Sequence, residues 1–138
     1  MSWDVIIMKI PESFTGDFDE LPEDWMPENI CTHKYLKNEI KKLFPKINND
    51  DSSWMTLDEE TYSIEFNVGE DDPINTITLH VRGDDKALES IKIFSEKLYC
   101  KALDTTEGEI IDFSDEPNKG FSKWREYRNK VLNKENKK

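Results

Sequence analysis

Long apolar runs are absent from this 138-residue chain. Nothing approaches the ~20 consecutive apolar residues of a membrane-spanning helix, and the N-terminus, with Asp4 and no extended apolar stretch, does not read as a secretory signal. Cysteine is scarce: Cys31 and Cys100 are too few for a disulfide framework, whether or not they meet, and the expected compartment is the cytoplasm. Only five glycines occur. Gly83 stands alone before a predicted helix and is followed by Asp84 and Asp85, where a phosphate-binding loop needs more glycine and no acid. Nucleotide binding is disfavoured on that ground. Paired metal-ligand spacing is missing as well: Cys31 and His33 sit one residue apart, and His80 and Cys100 do not complete a Cys-x₂₋₄-Cys or His-x₃₋₅-His pattern. No metal and no cofactor is expected.

Charge, in contrast, is abundant and uneven. The net charge is −11, with 36% of residues charged and 36% hydrophobic, and 15 aromatics argue for a folded chain. Residues 1–117 hold 11 Lys/Arg against 28 Asp/Glu, whereas residues 118–138 hold 8 against 2. A body this acidic repels nucleic acid phosphates and anionic membranes and attracts basic proteins. The C-terminal cations Lys119, Lys123, Arg125, Arg128, Lys130 and Lys134, interleaved with Phe121, Trp124 and Tyr127, have the look of an RNA-binding helix. Docking of that helix onto the acidic body is the more economical reading. Solubility is the ordinary explanation of the acidic excess.

Residues 61–98 organise the fold. Tyr62, Ile64, Phe66 and Val68 alternate with polar residues, as do Ile77, Leu79 and Val81, which predicts two half-buried strands around the break at Gly69–Pro73. Asp84 or Asp85 is placed to cap a helix whose apolar stripe runs through Ala87, Leu88, Ile91, Phe94, Ser95 and Leu98. Earlier, Trp3–Ile10 reads as a strand with two apolar faces, the signature of a central strand. Pro11–Ile30 fits neither period, and its Phe14, Phe18, Leu21, Trp25 and Met26 are expected to pack over the sheet. Thr32 caps a helix running to about Phe44, with Leu36, Ile40, Leu43 and Phe44 on one side and Lys34, Lys37, Lys41 and Lys42 on the other. Pro45 stops it. Trp54–Leu57 reads as a short strand, Asp58–Glu60 as a turn, Lys101–Asp104 and Glu109–Phe113 as a final hairpin. A last helix is expected after Asn118 or Ser122, with 134–138 frayed.

The order predicts a single α+β domain over residues 1–138: a ferredoxin-like βαββαβ antiparallel sheet with both long helices on one face, an added short hairpin and a C-terminal helix. No catalytic signature accompanies it. With 30 acids, close carboxylate pairs arise by chance and specify no hydrolase. His80 lies beside Thr78 and Arg82 on a polar strand face, with no Ser, Cys or Asp tied to it by sequence, so it reads first as a surface histidine. A pocket near His80 and Arg82, belonging to a small enzyme or ligand-binding domain, is the alternative. The stronger candidates are the acidic loops with their aromatic: Glu20, Glu23, Asp24 and Trp25; Asp58, Glu59 and Glu60; Glu70, Asp71 and Asp72. Many carboxylates speed association with a basic partner and a few aromatics hold the complex.

Met1-Ser2-Trp3-Asp4-Val5, Ser63-Ile64-Glu65-Phe66-Asn67, Leu79-His80-Val81-Arg82-Gly83, Ala102-Leu103-Asp104 and Trp124-Arg125-Glu126-Tyr127-Arg128 together resemble a family of small acidic bacterial proteins. The resemblance carries over no catalytic residue. In type, not in motif, the chain is also similar to the immunity proteins of bacterial toxin systems. That likeness implies a non-enzymatic inhibitor of a basic toxin, such as a nuclease.

Overall fold

Two strands of alternating apolar and polar residues, over 62–67 and 77–82, and one strand apolar on both faces build the centre of the molecule. A computed structural model describes residues 2–11, 23–113 and 126. The elements run β1 (Trp3–Met8), α1 (His33–Leu43), β2 (Trp54–Asp58), β3 (Tyr62–Asn67), β4 (Ile77–Gly83), α2 (Ala87–Lys97), β5 (Lys101–Asp104) and β6 (Glu109–Ile110). They form an α+β architecture: one six-stranded sheet in the order β2-β3-β4-β1-β5-β6, antiparallel at every pairing, with two helices. The order is not that of a plain four-strand ferredoxin-like sheet, because β2 adds a strand outside β3 and β6 adds one outside β5. β1, with its two apolar faces, is an interior strand between β4 and β5.

Register follows from burial. Ile64 opposes Val81 and Phe66 opposes Leu79, while Val81 opposes Trp3 and Leu79 opposes Val5. All six are closed to solvent, together with Met55 and Leu57 of β2. Burying each large apolar side chain contributes about 1.5–3 kcal/mol, and a slip of one residue would send the whole set to the other face. Both helices cover this side. The Phe66 ring meets Phe44, the C-cap of α1, at 6.1 Å and the edge of Phe94 from α2 at 5.0 Å. Leu36 and Ile40 of α1 and Ala87 and Ile91 of α2 complete the core. Glu39 ties the helices together, bonding Lys42 at 3.1 Å and Lys97 at 3.4 Å. The Lys42 hydrogen bond is the main cause of the depressed Glu39 pKa.

Local chemistry sets the helix ends. Thr32 Oγ1 accepts the Tyr35 N–H at 3.2 Å, as expected of a cap. At α2 the expected acidic cap is not used: Lys86 holds the N-cap position without a side-chain bond, and Asp84 instead accepts the Lys86 N–H at 3.1 Å in the preceding turn. That turn is set by Gly83, at φ +104, where a Cβ would strike the Thr61 carbonyl and the Tyr62 backbone. α2 ends where Cys100 N–H reaches the Ser95 carbonyl at 2.9 Å and Tyr99 N–H the Glu96 carbonyl at 3.1 Å.

Two strands are shorter than their sequences predict. β1 stops at Met8, and Lys9 beyond it makes an isolated antiparallel backbone bridge to Glu28. β6 is two residues long, although Ile111 still donates to the Ala102 carbonyl at 2.8 Å. Of the apolar groups expected to pack in Pro11–Ile30, Trp25 is half-buried and Met26 is 71% exposed. Phe14, Phe18 and Leu21 lie outside the described residues, as does the expected C-terminal helix apart from Glu126. Among the described residues no helix is long and apolar enough to cross a membrane.

Candidate functional site

The residues that alternate with the core stand on the opposite face, and register decides which of them meet. Asp4 opposes His80, His80 opposes Glu65, Ser63 opposes Arg82 and Trp54 opposes Asn67. Glu65 is thereby the diagonal cross-strand neighbour of Trp54, about 7–8 Å away and within reach of long side chains. His80 Nδ1 lies 2.8 Å from Asp4 Oδ1, and the Ser2 hydroxyl donates to the same oxygen at 2.6 Å. Arg82 donates to Glu65 Oε1 at 2.8 Å. The indole of Trp54 stacks on the His80 ring, with centroids 5.5 Å apart and planes 19° from parallel. Trp54 keeps 41% of its surface, and the side chains of Asp4, Glu65 and His80 keep 42%, 30% and 22%.

This cluster spans four strands and has a definite chemistry. A carboxylate at Nδ1 favours the tautomer with its proton there, which leaves the Nε2 lone pair as an acceptor. Neighbouring carboxylates and an indole can receive a cation. Sequence alone left His80 without a partner because Asp4 lies 76 positions away. One signal was present: Asp4 is the single charged residue of Trp3–Met8, a run otherwise apolar on both faces.

The acidic loops are distributed differently. Asp58 and Glu60 are exposed in the turn between β2 and β3, and Glu59 pairs with Lys46 at 3.6 Å. Glu70, Asp71 and Asp72 are exposed beyond the other end of β3. At about 3.3 Å per residue, the strand holds these two groups roughly 20 Å apart. The second loop is tied to the start of α1: His33 Nε2 lies 2.8 Å from the Asp71 carbonyl, and Asp72 Oδ1 accepts the His33 N–H at 3.2 Å. A carboxylate there is favoured by the positive end of the helix. Glu23 and Asp24 are exposed and Trp25 half-buried. They lead to Glu28, in a backbone bridge with Lys9 just past the end of β1, at the same end of the sheet as Glu70–Asp72. Glu20 lies outside the described residues.

Neither thiol is primed as a nucleophile. Burial pushes Cys100 up to about 12 and raises Cys31 as well. Among the described residues no group of three or more His, Cys, Asp or Glu could hold a metal ion. A groove of about 540 Å³ between α2 and the β5–β6 edge carries Lys92 and Lys101 together with Glu96 and Asp112, and so selects neither sign of ligand. Comparison of the chain with family models, with curated proteins and with solved structures finds no match.

Proposed function

We propose that the chain is a non-catalytic protein-binding module that meets a basic partner through its carboxylates, as an immunity-type inhibitor of the bacterial cytoplasm meets a basic toxin such as a nuclease. The observation that carries this reading is the exposure of Glu23, Asp24, Asp58, Glu60, Glu70, Asp71 and Asp72 on a chain of net charge −11. A nuclease site is built to attract phosphate, so a carboxylate-rich surface occupies it without chemistry of its own. The scaffold fits the role: the inner strands β3-β4-β1-β5 with α1 and α2 make a ferredoxin-like core, widened by β2 and β6. The test is co-expression and purification with the product of the adjacent gene. Its affinity should fall steeply between about 0.1 M and about 1 M salt, as the screening length shrinks from about 10 Å to about 3 Å. Tight binding indifferent to salt would contradict the electrostatic role.

The Asp4–His80 bond favours a second reading, a small ligand-binding domain or enzyme in which His80 Nε2 is the base and Arg82 the anion partner. A small-molecule screen followed by the His80 ring resonances discriminates. A ligand that shifts those resonances in the parent chain and not in Asp4→Asn supports it, and a silent His80 removes it.

A further inference from the structure

We propose that Trp54, stacked on the Asp4-bonded His80 and diagonal to Glu65, is the seat for an arginine side chain of the basic partner; this rests on the docking reading above and names its contact. Trp54 is an exposed tryptophan at a defined position on a sheet, not on a loose loop. Its ring is braced by the His80 imidazole, which Asp4 in turn holds at 2.8 Å. A braced indole with 41% of its surface open gives large contact area with little side-chain freedom left to lose.

Charge complementarity selects the occupant. The outward residues of β1 to β4 include Asp4, Asp58 and Glu65 against Arg82. Existing bonds fall on Oδ1 of Asp4 and Oε1 of Glu65. Among the described residues none donates to the second oxygen of either carboxylate. The geometry also admits a guanidinium, since Arg82 of this chain already reaches Glu65 at 2.8 Å. Arginine suits the place better than lysine: its planar head stacks on an indole and offers parallel N–H donors to a carboxylate, whereas an ammonium is a compact, strongly hydrated point charge.

The experiment titrates the full chain with octa-arginine and with octa-lysine at low salt, by calorimetry and by the indole N–H resonance of Trp54, assigned with Trp54→Phe. Octa-arginine should bind about tenfold more tightly than octa-lysine and move that resonance. Trp54→Ala should erase the preference while leaving equal, charge-driven binding of both peptides; Trp54→Phe should keep part of it. Asp4→Asn and Glu65→Gln should each weaken octa-arginine several-fold. Equal affinities in the parent chain, or a preference that survives Trp54→Ala, would overturn the seat and leave the acidic docking surface standing. Binding of neither peptide would overturn both.

Discussion

On the helix side of the sheet Met55, Leu57, Ile64, Phe66, Leu79, Val81, Trp3 and Val5 are closed to solvent, while one residue along the same strands Trp54, Glu65, His80, Arg82 and Asp4 keep part of their surface open. The closed side is stabilised by area removed from water, which depends on how much apolar surface is buried and little on which neighbour buries it. The other side depends on particular pairs. Asp4 reaches His80 only because packing beneath has fixed β1 beside β4 in one register. The helix side supplies stability, and by aligning the strands it also assembles the polar cluster. The outer surface of α1 differs again: Lys34, Lys37, Lys41 and Lys42 are exposed there, a sign that repels the partner proposed for the other side.

Substitutions can break this contrast or sharpen it. Phe66→Ala removes the ring that both helices share and should cost about 3–5 kcal/mol in urea unfolding, with the outward cluster lost alongside it. Gly83→Ala forces a Cβ against the Thr61 carbonyl at a left-handed φ, so a loss of about 1–3 kcal/mol is expected in the same measurement. Asp104 is the one buried carboxylate among the described residues, accepting the Trp3 indole N–H at 2.9 Å and the Thr106 N–H at 2.9 Å. Asp104→Ala removes the acceptor of both N–H groups and should cost about 1–3 kcal/mol, and Asp104→Asn less. On the open side, a double-mutant cycle through Asp4→Ala and His80→Ala should give a coupling of no more than about 1 kcal/mol, because the pair is solvated. A coupling as large as the Phe66 effect would erase the distinction between the faces.

The thiols supply a pH test of the closed side. Burial raises Cys100 to about 12 from an ordinary value of 9.0, so between those limits the unfolded chain releases its proton first and the folded chain retains it. Stability is therefore complete below about pH 9 and declines as pH rises toward 12. The same cause makes native Cys100 slow to alkylate at pH 9, and mass spectrometry of iodoacetamide-treated protein should find it modified mainly in urea. Rapid native labelling would show that Cys100 is not sequestered.

Local patterns made much of the sheet legible. Period-two alternation located β3 and β4, the apolar stripe located α2, and Thr32 with Pro45 bracketed α1. Two apolar faces marked β1 as an interior strand. What could not be read was long-range. Nothing near Asp4 names His80, nothing near Trp54 says that its ring crosses β3 to stack on β4, and nothing near Asp72 announces that it bonds the His33 N–H. Capping at α2 failed as an inference because Gly83 turns the chain early and spends Asp84 before the helix begins. The acidic loops were legible as exposed carboxylates. Their separation along β3 was not, because it depends on which turn falls at which end of the strand.

The basic partner proposed above docks on the carboxylate-and-tryptophan side of the sheet and not on the helices. Amide resonances mapped in the complex with the product of the adjacent gene test it directly. The expected perturbations fall on β2, β3 and β4 and on the acidic turns at the two ends of β3, strongest at Trp54, Glu65 and His80, with the exposed face of α1 unchanged. Perturbations confined to the lysine face of α1 or to the outer face of α2 would contradict it.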